Sequence, residues 1–266
     1  MNNHRVIDVA SVDKSFGERK VLDKVTMHVC HGEIVSVLGV SGSGKTTLFN
    51  LITGLETADR GEIRCASDIG YMLQKDLLMP WKTIEENIAL PLILKGVKRS
   101  SAINEIRQYF ELFGLEGTGK AYPGTLSGGM RQRAALLRTW LISGEIMLLD
   151  EPFSSVDAIT RHKLHKWLKK IKEKMDLTIL LITHDVEEAL TLSDRIYVMG
   201  GNPASMADEI VLNSDLKDRA DPVTPANPVD RADPDDHRTD TEAVADRSSA
   251  RQRIFVTLEK DLERST

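Results

Sequence analysis

The feature that most constrains this chain is Gly39-Val40-Ser41-Gly42-Ser43-Gly44-Lys45-Thr46-Thr47. A short apolar run, Ile34–Leu38, precedes it, and a helical pattern carrying Leu48, Leu51, Ile52 and Leu55 follows. Strand, Gly-x-x-x-x-Gly-Lys-Thr, helix is the order that a phosphate-cradling loop requires. The glycines let successive backbone N–H groups turn into one concavity, and the helix N-terminus adds positive potential at the same place. Lys45 then reaches the β- and γ-phosphates, and the Thr46 hydroxyl is placed to ligate Mg²⁺. Gly54 marks the expected end of the helix.

A chain built round such a loop belongs to the α/β class. Ile146–Asp150 and Thr178–Thr183 are short continuous apolar runs like Ile34–Leu38. Strands buried on both faces read this way, and the helical patterns between them predict a largely parallel sheet. Val6–Val12 and Val21–Val29 alternate instead, with a turn signal at Phe16-Gly17-Glu18, which predicts an N-terminal antiparallel β region. Residues 1–212 are therefore read as one folded domain. From 213 to 250 the chain holds ten acidic residues, five basic ones and four of the nine prolines. That composition predicts an acidic linker, disordered or extended. Ile254, Leu258 and Leu262 then recur at helical spacing, so 251–266 is expected to form a short C-terminal helix.

The net charge of the whole chain is −5, which the linker alone supplies. The folded part is balanced and has no bias towards nucleic acid. Apolar stretches such as Ile88–Leu94 are far too short to span a bilayer, and no apolar run follows a basic start, so neither a spanning helix nor a secretory signal is expected. Cys30 and Cys65 are too few for a disulfide framework or a zinc site, which suits a reducing compartment.

Further chemistry sits at the ends of these elements. Asp150 closes an apolar strand and is placed to hold Mg²⁺ beside the phosphate loop, directly or through water. Glu151, one residue on, points elsewhere and can polarise a water for in-line attack on the γ-phosphate. Ser127 is a good N-cap for a helix that begins Gly128-Gly129, a second helix end open to an anion. His184 follows the strand Thr178–Thr183 and precedes a helix, Val186–Leu192, at the sheet edge where ligands bind. His162 and His165 lack an evident third metal ligand. Thr160–Met175 carries seven basic residues and a stripe of Leu164, Leu168, Ile171 and Met175, read as a surface helix with a core face rather than a membrane-lying one.

Gly39–Thr47, Leu126-Ser127-Gly128-Gly129-Met130-Arg131-Gln132-Arg133 and Ile146–Glu151 together resemble the nucleotide-binding subunit of an ABC transporter. The resemblance runs from residue 5 to about 200. It implies a P-loop NTPase core of the ABC ATPase type, with the N-terminal antiparallel β region and a helical subdomain over about 83–140. Phe16 stands where the family stacks adenine. Gln74 matches the Q-loop glutamine, with Thr46 and Asp150 a ligand set for Mg²⁺. Ser155-Val156-Asp157 resembles the D-loop, with Asp157 as its acid. His184 matches the switch histidine. In such a protein ATP is sandwiched between the phosphate loop of one subunit and Ser127, Gly128, Gly129 and Gln132 of a second, most simply another copy. Glu151, His184 and Lys45 are then the catalytic groups, and ATP and Mg²⁺ the ligands.

The wording after Gln74, Lys75-Asp76-Leu77-Leu78-Met79-Pro80-Trp81-Lys82-Thr83, is similar to importer ATPases for nitrate, sulfonate, taurine and bicarbonate, with thiamine-precursor importers as the alternative. The family implies transmembrane permease subunits as partners, an indirect link to a solute-binding protein, and a peripheral place on the cytoplasmic face of the cell membrane. Three other readings remain: a soluble ABC-type ATPase, a small-molecule kinase and a hydrolysis-dead switch. One cassette without a heptad run or basic excess weighs against the first. The 127–133 motif has no role in the second. The presence of Glu151 and His184 opposes the third. Trp140 and Ser155 replace smaller or different family residues and remove no chemical group.

Overall fold

The computed structural model describes residues 4–212 and 245–264, and its architecture follows from where the apolar runs fall. The runs Ile34–Leu38 (β3), Ile146–Asp150 (β6) and Thr178–Thr183 (β7) are strands with every residue buried. With Ile69–Met72 (β5), Arg195–Gly200 (β8) and Ser205–Val211 (β9) they form a six-stranded sheet of order β5-β6-β7-β3-β8-β9. All neighbours are parallel except β8 and β9. Parallel strands leave the C-terminal ends of β3, β6 and β7 along one edge, where α/β proteins bind ligands.

The alternating segments form the antiparallel pair Arg5–Phe16 (β1) and Arg19–Cys30 (β2), longer at both ends than the alternation suggested. Arg60–Cys65 (β4) completes a separate sheet of order β2-β1-β4. Helix α1 (Lys45–Ile52) lies between the two sheets and buries Leu48, Phe49, Leu51 and Ile52 against Val9, Val12, Val35 and Val37. Leu55 departs from expectation. The helix has ended at Thr53, Gly54 has turned the chain at φ 75°, and Leu55 is exposed.

The other face of the large sheet carries α2 (Ile84–Leu94), α3 (Arg99–Arg107), α4 (Phe110–Phe113), α5 (Gly128–Ser143) and α6 (Ala158–Met175). Ile84, Ile88, Phe113, Leu137 and Leu164 meet Met147 and Leu149 in one core. Thr83 and Glu86 form a reciprocal capping box at the start of α2, which satisfies two backbone donors there. In α6, Leu164, Leu168 and Ile171 are buried, so the basic helix is a surface helix with a core face. Trp140 finds its space edge-on to Tyr109, 4.7 Å between ring centroids, and its indole N–H donates to Gly144 O at 2.8 Å.

Helices α7 (Val186–Leu192) and α8 (Arg247–Arg264) cover β8 and β9, where Ala250 and Ile254 join Leu190, Ile196 and Ile210. Arg251 pairs with Glu187 at 3.0 Å and Arg253 with Asp208 at 2.7 Å. The helix starts at Arg247, ahead of the expected 251, and Leu212 and Ala245 form a parallel bridge just before it. The last residues assigned to the linker are therefore helical. The rest of it, 213–244, lies outside the described residues, as does the side chain of Leu262.

Candidate active site

The loop between β3 and α1 is closed by two constraints only glycine meets. Gly44 precedes α1 at φ 86°, in the left-handed region. Gly39 passes so close to β8 that a Cβ there would lie 2.6 Å from Met199 O. Lys45 Nζ folds back onto the loop and donates to Gly39 O at 2.8 Å and Val40 O at 2.7 Å. Burial draws the Lys45 pKa down, against the pull of Glu151 and Asp150. Lys45 is thus a desolvated cation already satisfied by carbonyls, which a phosphate can replace as partner.

Asp150 ends β6 beside this loop. Its Oδ2 accepts from Thr46 Oγ1 at 3.3 Å and from the Tyr71 hydroxyl at 3.4 Å. Burial pushes its pKa up, and the neighbouring Glu151 charge adds to the rise. The Tyr71 phenol is raised by the same burial and by Asp150. Tyr71 is a partner that sequence reasoning missed; one tyrosine in a short strand gives no signal of where its hydroxyl ends.

Glu151 turns away from Asp150 because it adopts a left-handed conformation, φ 46°, uncommon for a residue with a side chain. Its N–H is held by Ile182 O at 3.0 Å. The carboxylate then lies between two predicted groups. Gln74 Nε2 donates to its Oε2 at 2.9 Å, and His184 Nδ1 is 3.0 Å from its Oε1. Three distant segments thus meet at one carboxylate, and backbone strain is a recurrent mark of functional turns.

A cavity of about 430 Å³ opens over these groups, lined by Phe16, Ser41, Gly42, Gly44, Lys45, Thr46, Thr47, Gln74, Asp150 and Glu151. Arg19, Val21 and Ile182 also line it, and no motif marked them. Phe16 is half-exposed at the rim, with Lys14 Nζ 4.9 Å from its ring centroid. An exposed aromatic face of this kind suits a stacked base. Val40 and Ser43 line a smaller neighbouring cavity that shares Ser41 and Gly42 with the large one. His184 lines a third, of about 80 Å³, next to Glu151.

The remaining predicted residues lie elsewhere. Ser127 caps α5, its hydroxyl accepting from Met130 N at 3.3 Å. Gly129 packs closely on α6, since a Cβ there would be 3.0 Å from Thr160 Cγ2. Gln132 is buried, and its amide donates to Ser155 Oγ at 3.4 Å, so it supports the 155–157 turn rather than facing outwards. Asp157 caps α6 by accepting from Thr160 N at 3.0 Å, and that bond holds its carboxyl below the usual range. None of Ser127, Gly128, Gly129, Gln132 or Asp157 lines the large cavity.

Among the described residues no three His, Cys, Asp or Glu side chains cluster as a self-sufficient metal cage. Thr46 and Asp150 offer hard oxygens 3.3 Å apart. A pair of such ligands beside a phosphate site is the donor set Mg²⁺ takes, with phosphate oxygens and water completing its shell.

Comparison with known proteins identifies the family. The sequence profile described as ABC transporter matches residues 22–154. The formylaminopyrimidine import ATP-binding protein ThiZ of Halalkalibacterium halodurans is 48% identical over 74% of this chain and 80% of its own length. The aliphatic sulfonates import ATP-binding protein SsuB 2 of Pseudomonas syringae pv. tomato is 41% identical over 82% of this chain and 92% of its own. A solved dimeric ATP-binding cassette in a post-hydrolysis state, bound to ADP and Pi, superposes with a TM-score of 0.66 at 28% identity, covering 78% of this chain and 99% of its own. The chain belongs to the ABC transporter family and is an ATP-hydrolysing member of it.

Proposed function

We propose that this ATPase drives an importer, and that it hydrolyses ATP between two copies of itself packed head to tail. The observation that carries the hydrolytic reading is Glu151, held between Gln74 and His184 at the edge of the phosphate-loop cavity. In this reading Phe16 stacks the adenine, and the loop 39–47 with Lys45 cradles the phosphates. Thr46 and Asp150, with Gln74 as the expected third ligand, would hold Mg²⁺. The ion supplies neutralisation of developing phosphate charge. Glu151 orients the attacking water, and His184 fixes the Glu151 carboxylate and contacts the γ-phosphate.

The second anion-binding helix end, Ser127-Gly128-Gly129, lies away from the chain's own cavity, which supports its use on the nucleotide of a partner copy. Asp157 adjoins it. Donors aimed at the γ-phosphate from across the interface would do what an arginine finger does in other phosphoryl-transfer enzymes.

A permease contact at the helical subdomain is supported by exposed apolar side chains at both ends of α2. Trp81 is 72% exposed, Leu94 77% and Leu77 53%. The loop bearing Trp81 is held rigid by buried Asn87, whose amide donates to the Met79, Lys82 and Thr83 carbonyls. A fixed, exposed tryptophan is a typical interface anchor. Among the described residues no helix is long and apolar enough to cross a membrane. Attachment to the cytoplasmic face would come through permease subunits, with a solute-binding protein linked indirectly and no nucleic acid involved.

For the solute, the sulfonate relative supports a small anion such as nitrate, sulfonate or taurine. The formylaminopyrimidine relative, at 48% identity, supports a thiamine-precursor importer as the second reading. Co-purification of the tagged chain from solubilised membranes should recover a polytopic membrane protein and a binding protein whose bound solute decides between them. For the chemistry, Glu151→Gln should keep ATP binding and lower turnover about 10²-fold or more. Unchanged turnover would reject the role given to Glu151.

A further inference from the structure

Arg161 lies outside the large cavity, in the first turns of α6, and its guanidinium spans two segments of the site. Nη2 donates to Val156 O at 3.2 Å, and Nη1 donates to Asp185 Oδ2 at 3.0 Å. Its Nε is buried and has no hydrogen-bond partner among the described residues. Both bonded groups belong to turns that matter. Val156 is the centre of the 155–157 turn, which Gln132 joins to the start of α5 through Ser155. Asp185 directly follows His184.

Asp185 is itself bonded into its turn. Its N–H donates to Thr183 Oγ1 at 3.0 Å, and its Oδ1 accepts from Glu187 N and Glu188 N at 2.9 and 3.1 Å. Arg161 is therefore bonded to a side chain that is itself built into the turn carrying His184. Glu151, His184, Arg161 and Asp185 line the same small cavity, so the linkage runs along its wall. The Arg161 and Asp185 side chains are about a third exposed, 29% and 32%. Charge attraction at that exposure is worth little. A planar fork bonded to a carbonyl on one prong and a carboxylate on the other instead fixes orientation, and lysine cannot reproduce it.

We propose that Arg161 is a positioning residue for hydrolysis, tying the 155–157 turn to the His184 turn so that the His184–Glu151 contact forms when that turn is seated. The proposal rests on the reading of Glu151 and His184 as the hydrolytic pair. The 155–157 turn adjoins the Ser127–Gly129 segment, which the partner copy is proposed to meet. Seating of the partner on that turn is then passed to His184 by two bonds of one side chain.

The test is steady-state ATP hydrolysis by Arg161→Gln, Arg161→Lys, Asp185→Asn and the double variant R161Q/D185N. Asparagine at 185 keeps the oxygen that caps α7 and removes the charge that pairs with Arg161. R161Q and D185N should each lower kcat about tenfold with KM for ATP within about twofold, a split that general loosening of the fold does not give. The double variant should be no worse than either single one, because both remove one interaction. R161K should recover part of the loss. A kcat within about twofold of the parent in R161Q, or fully additive losses in the double variant, overturns the proposal. If R161Q does not fold, D185N decides by the same limit. Glu151→Gln in parallel separates the two readings. Full turnover there removes the hydrolytic pair itself, whereas loss there beside intact Arg161 and Asp185 variants removes only the linkage.

Discussion

Asp150 shows how burial and function oppose each other within one side chain. Its carboxyl is buried and its pKa is raised, mainly by that burial. The folded, nucleotide-free state thus holds the Asp150 proton more readily than the unfolded chain does. Both states are protonated at low pH, so no difference arises there. As pH rises through the folded-state value the ionised carboxylate becomes a cost to stability. Asp150→Asn should therefore raise the Tm of the nucleotide-free protein at neutral pH, by an amount that shrinks towards acid, while lowering hydrolysis about 10²-fold or more. Calorimetry across pH checks this, and a gain independent of pH would assign the effect to packing instead. Asp157 has the opposite sign. Its depressed pKa, set by the Thr160 N–H, adds stability above the ordinary carboxylate range that is lost as pH falls through the folded value. At this scale the residue types were legible in the sequence, and their contacts were not. The left-handed turn at Glu151 and its bonds to Gln74 and His184 join segments far apart in the chain, and no local pattern carries that information.

At the scale of elements, β3, β6 and β7 matched their sequence limits because strands buried on both faces leave unbroken apolar runs. The start of α8 lies ahead of its apolar pattern for a physical reason. Its apolar face begins only at Ala250, whereas the helix is opened four residues earlier by Asp246, whose carboxylate accepts from Ser249 N at 2.8 Å. Polar first turns carry no periodicity, so only the cap marks them. The seam between β5 and α5 gives a sharp test of element packing. A Cβ on Gly70 would lie 2.5 Å from Thr139 O, a backbone atom held within α5. Gly70→Ala should cost about 1–3 kcal/mol in urea unfolding, as overpacking does. Gly124→Ala, where a Cβ meets nothing within 4 Å, should change little and serves as the control.

At the scale of the whole molecule, the phosphate loop and the Ser127–Gly129 helix start lie apart on one chain, so the proposed site would need two chains. ATP should convert Glu151→Gln from monomer to dimer in sedimentation, and a monomer at saturating ATP would argue against the sandwich. Helix α8 is also part of the fold, since Ile254 is fully buried among β8, β9 and α7. Ile254→Ala should cost about 2–4 kcal/mol in chemical unfolding if that helix is integral, and almost nothing if it docks loosely. The bridge between Leu212 and Ala245 has a different kind of consequence. The two ends of the intervening segment are thus fixed side by side at one doorway. Whatever lies between pays a closure cost that grows by only about 0.6 kcal/mol for each doubling of its length. An insertion between these two fixed ends should therefore leave the ATPase on either side intact. This stretch is the place where a lineage, or an engineer, would graft a new module into this motor.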